Sequence, residues 1–223
     1  MARPFRFGVS VRRAQNRREW QEKARRAEAL GYSSFLVPDH LVDILPPLVP
    51  LVSAAEATDT LRVGTFVLNP VQKPRPPLLI GGNSQPLLTL AAREADIVSF
   101  VGFSHRRGGR DFDLRAFTDA GTEERVTIVR EVAGDRFARL ELNAVVQQIV
   151  VNASPRRAAE EFARDSPLSV DDVLSSPYVR IGSLDAIAEA VSENRERHGF
   201  SYWVVFEDSM DAFAPVVSQL AGS

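Results

Sequence analysis

The sequence predicts an α/β protein built on a parallel sheet of about seven strands. Short apolar runs rich in Val, Ile and Phe alternate with amphipathic helical segments along the 223 residues. Strands separated by helices lie parallel and are buried on both faces. No shift in composition and no internal repeat divides the chain, so residues 1–223 read as a single domain. From this rhythm alone a doubly wound sheet and a (β/α) barrel both remain open, a complete barrel having eight strands.

The elements follow in order. "FRFGVSV" (Phe5 to Val11) is the first strand, and "NRREWQEKARRAEALG" the first helix. Asn16 is placed to cap it, with Glu19 completing a capping box. Trp20, Ala24, Ala27 and Leu30 form its apolar stripe, and Gly31 ends it. "SSFLVPDH" is the second strand, "PPLVPLVSAAEATDT" a helix and "RVGTFVLN" the third strand. "PPLLIGG" is the fourth, followed by a helix over "QPLLTLAAREAD" that Ser84 would cap. "IVSFVGF" is the fifth strand, "HRRGGRDFD" a charged loop and "TEERVTIVREVAG" a helix. "RLELNAVVQQIVV" reads as one long sixth strand, and "SPRRAAEEFARD" as a helix with Ser154 as cap and Pro155 at its first position. "SVDDVLSSP" is a short helix, "SLDAIAEAVSENRERHG" a long one, "YWVVFE" the seventh strand and "DSMDAFAPVVSQLAG" a final helix.

Composition narrows the function. The formal net charge is -2, which argues against a polyanionic partner such as nucleic acid. There is no cysteine, which removes disulfides and thiolate metal sites. The first residues, "MARPFRFGVSV", lack the apolar core of a signal peptide, and no stretch approaches a membrane span. A cytoplasmic protein is expected, with neither membrane nor nucleic acid as partner. Only Lys23 and Lys73 are lysines among 27 basic residues, a bias typical of GC-rich coding.

One segment breaks the rhythm. Between the third and fourth strands, "GTFVLNPVQKPRPPLLIGGN" offers no helix but four prolines, Pro70, Pro74, Pro76 and Pro77. A parallel return must span one strand length, roughly 17–20 Å. Pro70 to Pro76 in polyproline II form, at about 3.1 Å per residue, reaches roughly 22 Å. An extended, non-helical crossing is therefore feasible, and it leaves one flank of the sheet without its helix. A second copy of the chain is the simplest cover, so a homodimer is expected.

Several residues at strand ends are candidates for chemistry. "VPDH" puts Asp39 and His40 at the C-terminal end of the second strand, where barrel enzymes keep their sites. Taken alone it also reads as a turn in which Asp39 caps the next segment. "GTFVLN" offers Gly64, Thr65 and Asn69, of which Thr65 is also an ordinary strand residue. "IGGNS" (Gly81, Gly82, Asn83, Ser84) joins a Gly-Gly strand end to a helix N-terminus, a place that suits an anion; Gly-Gly alone is as often a tight turn. Arg12 and Arg13 follow the first strand as possible phosphate or substrate contacts, or as a solvated turn. His105, Arg106, Arg107 and Arg110 share the loop after the fifth strand. His198 reads as a charge on a helix C-terminus. No metal-ligand spacing, nucleophile elbow, P-loop or GxGxxG is present.

The segments "GYSSFLVPDHL", "LRVGTFVLN", "RPPLLIGGN", "LAAREADIV" and "YWVVFEDSMDAFAPVV" resemble the bacterial luciferase-like flavin and deazaflavin oxidoreductases, above all the branch that uses coenzyme F420. The resemblance runs through nearly the whole chain. It implies a TIM-barrel-like fold, here incomplete, because a helix–strand–helix block is missing near residues 69–77. The non-fluorescent flavoprotein of luminous bacteria is a comparably shortened relative. The resemblance further implies coenzyme F420 as cofactor, with FMN as the alternative, or a chain that has lost its cofactor. Asp39 would accept from a ring N–H, and His40 would donate to a ring carbonyl or to the substrate. Thr65 would lie under the ring, Asn69 at its rim beside Gly64, and Gly81, Gly82, Asn83 and Ser84 would hold the phosphate. The implied function is an oxidoreductase acting on a small organic substrate. The alternatives are a ligand-binding protein without turnover and a non-catalytic partner subunit.

Overall fold

The computed structural model describes residues 3–37, 48–64, 77–105, 112–164 and 166–223. In chain order the first elements are β1 (Arg6–Ser10), α1 (Arg17–Ala29), β2 (Ser34–Leu36), α2 (Leu48–Ala55) and β3 (Arg62–Gly64). β4 (Leu79–Gly81), α3 (Gln85–Glu94), β5 (Ile97–Phe100), β6 (Ser104–His105), β7 (Phe112–Asp113) and α4 (Asp119–Ala133) follow. Then come β8 (Glu141–Val145), β9 (Gln148–Val151), α5 (Pro155–Ala163), α6 (Val170–Ser175), β10 (Val179–Gly182), α7 (Leu184–His198), β11 (Phe200–Phe206) and α8 (Met210–Leu220).

Seven strands share one sheet in the order β3-β2-β1-β11-β8-β5-β4. They are the seven read from the sequence. The ladders pair Val9 with Phe35, Phe35 with Val63, Ile80 with Val98 and Val98 with Leu142, all parallel. Central strands are largely buried, β5 at every position, whereas the edge strands β3 and β4 are only half-buried or exposed. That gradient is what burial on two faces produces for inner strands and not for edges. The crossing expected to be extended, Pro70 to Pro76, lies outside the described residues.

The chain divides into two compact units. A terminal unit joins Pro4–Pro76 to Trp203–Ser223, and a central unit joins Pro77–Tyr202 to the first three residues. In the terminal unit Phe7 meets Phe213 edge-on at 5.7 Å, and Trp20 meets Phe35 at 6.2 Å. α1 starts as predicted, Asn16 Oδ1 accepting from the Glu19 N–H at 3.0 Å. The Glu19 carboxylate accepts not from Asn16 but from the N–H of Gln15, at 2.6 Å. Glu28, late in α1, ties down the turn before β3: its Oε1 accepts from the N–H groups of Asp59, Thr60 and Leu61 and from the Thr60 hydroxyl. The buried Tyr32 hydroxyl donates to Met210 O at 2.9 Å, and burial pushes its ionisation well above the usual range.

In the central unit Phe100 and Phe200 pack edge-on at 5.5 Å over a core that includes Val98, Leu142, Val126 and Val191. Two readings are corrected here. The long sixth strand is two: β8 stays in the sheet, and β9 leaves it to pair in parallel with β10, Ile149 opposite Arg180. Gln147 marks the break, its N–H donating to Tyr178 O at 2.7 Å and its side chain to Val145 O at 2.9 Å. Ser154 precedes α5 but makes no capping bond; instead its own N–H donates to Asn152 Oδ1 at 2.7 Å. The charged loop after β5 carries a short antiparallel pair, β6 with β7.

Candidate functional site

The β4–α3 junction is the best-described part of the expected site. Gly81 lies opposite Ser99 in the ladder, and a Cβ on it would stand 3.1 Å from the Ser99 Cβ. The Ser99 hydroxyl donates to Asn143 Oδ1 at 2.5 Å, and Asn143 Nδ2 donates to Tyr202 O at 2.9 Å. This buried polar thread ties β5 to β8 and β11. Gly82 has φ 153°, and a Cβ there would fall 2.2 Å from Leu87 Cδ2. Its N–H donates to Ser99 O at 3.1 Å and is not available to an anion.

Asn83 is 9% exposed. Its Nδ2 donates to Phe103 O at 2.5 Å, which leaves Oδ1 as a buried acceptor with no partner among the described residues. Ser84 takes the N-cap position of α3, with Pro86 in the first turn, but its side chain makes no capping bond. The loop therefore offers an anion the Ser84 hydroxyl and the helix N-terminus, while Asn83 presents an acceptor. That donor set fits a phosphate through Ser84 rather than through Gly82.

In the terminal unit Gly64 ends β3, and its carbonyl accepts from the Val37 N–H at 3.1 Å. Among the described residues a Cβ on Gly64 would meet Leu36 Cδ2, at 3.3 Å. The Arg12 guanidinium lies 4.4 Å from the centre of the Phe206 ring. Asp39, His40, Thr65, Asn69, Arg106, Arg107 and Arg110 lie outside the described residues. His105 is described only by its place in β6.

His198 is not a solvent-facing charge. Its side chain is fully buried, with Nδ1 3.0 Å from Glu123 and Nε2 2.9 Å from Asp119. Arg197 adds a second contact to Asp119 at 2.5 Å. The spacing of Asp119 and Glu123 on one face of α4 was the available signal. Beside this cluster lies a half-open cleft of about 490 Å³, lined by residues including Asp119, Arg180, Glu193, Asn194 and Arg197. Arg180 is buried, donates to Ser176 O at 2.7 Å, and has its pKa lowered to about 10 by burial. The lining comes from α4, α6, α7 and β10 rather than from strand ends of the main sheet, so the cleft is not the expected site. Among the described residues no group of His, Asp and Glu could hold a metal ion, and no helix is long and apolar enough to cross a membrane.

Residues 1–74 match the sequence model of the luciferase-like monooxygenases. No curated protein sequence matches the chain. In fold the chain is similar to the coenzyme F420 dependent tetrahydromethanopterin reductase from Methanopyrus kandleri, with TM-score 0.65 and 12% identity over 98% of each chain. It is also similar to the long-chain alkane monooxygenase LadA, with TM-score 0.66 and 10% identity over 98% of this chain and 92% of that one. DmoA from Hyphomicrobium sulfonivorans gives TM-score 0.69 and 8% identity over 97% and 88%. The fold is thus TIM-barrel-like, with seven strands in the sheet among the described residues where a complete barrel has eight. The resemblance to the luciferase-like family stands on the match over 1–74 and on this fold.

Proposed function

We propose that this chain is a flavin- or deazaflavin-dependent oxidoreductase acting on a small organic substrate, with coenzyme F420 as first candidate and FMN as second. The observation that carries the reading is the coincidence of the luciferase-like match with the fold of an F420 dependent reductase. The bound cofactor would supply the hydride or electron transfer; the chain would bind and orient it. In this reading Asp39 accepts from a ring N–H, and His40 donates to a ring carbonyl or to the substrate. Thr65 lies under the ring, with Gly64 and Asn69 near it. Gly81, Gly82, Asn83 and Ser84 form the phosphate loop. Within that loop the hydroxyl of Ser84 is uncommitted to its helix, which supports it as the donor.

The test is an absorbance titration of the purified chain with coenzyme F420 and with FMN. Binding of one of them at tens of micromolar is expected, and His40→Ala should lower turnover without loss of folded protein. If neither cofactor binds, the oxidoreductase reading is wrong. A partner-subunit role then takes its place, favoured by the edge strands β3 and β4, around which Leu78 is 38% exposed and Leu79, Ile80 and Val63 are half-buried.

A further inference from the structure

Arg12 stands just past the hydrogen-bonded end of β1, where the preceding Val11 N–H donates to Leu36 O at 2.9 Å. It is exposed, and its guanidinium carbon lies 4.4 Å from the centre of the Phe206 ring. Phe206 closes β11, so the pair sits at the C-terminal ends of two strands of the terminal unit. Two carboxylates nearby in the chain are already engaged. Glu207, directly after Phe206, accepts from Lys23 Nζ at 3.2 Å, and Glu19 lies 3.1 Å from the same Nζ. Lys23 also donates to the carbonyl of Arg13 at 2.8 Å. Arg12 and Arg13 pair with no described carboxylate, and Arg12 gives none of its N–H groups to a described residue.

A guanidinium over an aromatic face is attracted by the ring and loses part of its rotamer freedom. Its in-plane N–H fork then remains for a planar or tetrahedral oxyanion, which it can hold through two parallel bonds. A cation meant only for solubility needs no such shelf. We propose that Arg12, held over Phe206, anchors the phosphate or carboxylate group of a ligand arriving at the C-terminal ends of the strands, with Arg13 adding positive charge. The assignment rests on the oxidoreductase reading only for the end of the sheet at which ligands arrive.

Isothermal titration of the full chain with inorganic phosphate and, separately, with succinate tests it. Wild type should bind at least one of the two in the millimolar range, and which one it binds tells phosphate from carboxylate. Arg12→Gln should weaken that binding by about tenfold, the loss of one bidentate contact. Phe206→Leu should weaken it by a smaller factor, because the guanidinium stays but its shelf goes. Arg25→Gln, on the exposed face of α1, serves as a control for net charge and should bind as wild type. Equal binding by Arg12→Gln and wild type, binding to neither anion, or an equal loss in Arg25→Gln would overturn the proposal. An Arg12-dependent anion site in a protein that binds neither coenzyme F420 nor FMN would leave the proposal standing and remove the oxidoreductase reading.

Discussion

Replacing His198 by Phe tests whether the imidazole holds α7 to α4. The phenyl ring, somewhat larger than the imidazole, still fills the site beside Phe200 but offers no N–H. The native ring is fully buried and lies 3.0 Å from Glu123 and 2.9 Å from Asp119. A hydrogen bond to a charged group contributes about 1.5–3 kcal/mol. The Glu123 bond counts for less, because that side chain is 42% exposed and has Arg130 at 3.6 Å, so water and Arg130 can replace the ring. Asp119 is only 16% exposed but keeps Arg197. One strong bond is lost, a destabilisation of about 1.5–3 kcal/mol. The assay is urea unfolding followed by far-UV circular dichroism, because Trp20 and Trp203 both lie in the other unit. In an Asp119→Asn background the same change should cost about 1 kcal/mol less, since the two residues share a bond. A loss below about 0.5 kcal/mol in His198→Phe, the range of an ordinary surface change, would refute the reasoning.

Gly82→Ala should destabilise the protein by about 2–4 kcal/mol, because the new methyl meets Leu87 at 2.2 Å and the backbone has φ 153°. Gly64→Ala, whose methyl meets a flexible leucine at 3.3 Å among the described residues, should cost less than about 1 kcal/mol in the same unfolding assay. Glu28 has its carboxyl held below the usual range, first by the Thr60 N–H and opposed by partial desolvation. A lowered folded pKa gives stability that is present above the ordinary value near 4.5 and lost as pH falls through the folded one. Glu28→Gln should therefore show a shallower loss of stability between neutral pH and acid, measured as unfolding midpoint against pH. Light scattering at micromolar concentration should find a dimer, and a monomer would remove the second copy as the cover for the edge strands.

The seven strands of the main sheet were legible because each is a short apolar run bounded by turn residues. Their order is what parallel strands joined by helices adopt, and the signals at Asn16, Gly31 and Gly199 hold in the structure. The errors have local causes. "LNAVVQQIVV" is apolar enough to read as one strand, and only the donation from Gln147 to Tyr178 O, distant in sequence, divides it. β10 escaped notice because Arg180 interrupts its apolar pattern, a charge that the fold buries against Ser176 O. His198 reads only as a charge at a helix C-terminus; Asp119 and Glu123 are spaced to share one face of α4, but nothing near His198 shows that this face would pack against it. At the β4–α3 loop the sequence located Gly82 and Ser84 correctly in the turn. It could not show that the Gly82 N–H would be taken by Ser99 or that the Ser84 hydroxyl would leave its own helix uncapped.

The terminal unit is stitched from two distant stretches of chain: Phe5 N–H donates to Ser223 O, and Gly222 N–H donates back to Phe5 O. During synthesis this imposes an order. Ribosomes add on the order of 5–20 residues per second, so Pro4–Pro76 emerges well before Trp203–Ser223 can meet it. For that interval β1 and the apolar stripe of α1 wait without Phe213, Val216 and Val217, while Pro77–Tyr202 can already pack its own core. The nascent chain thus leaves Phe5 and Phe7, which the folded protein buries, in water until α8 arrives.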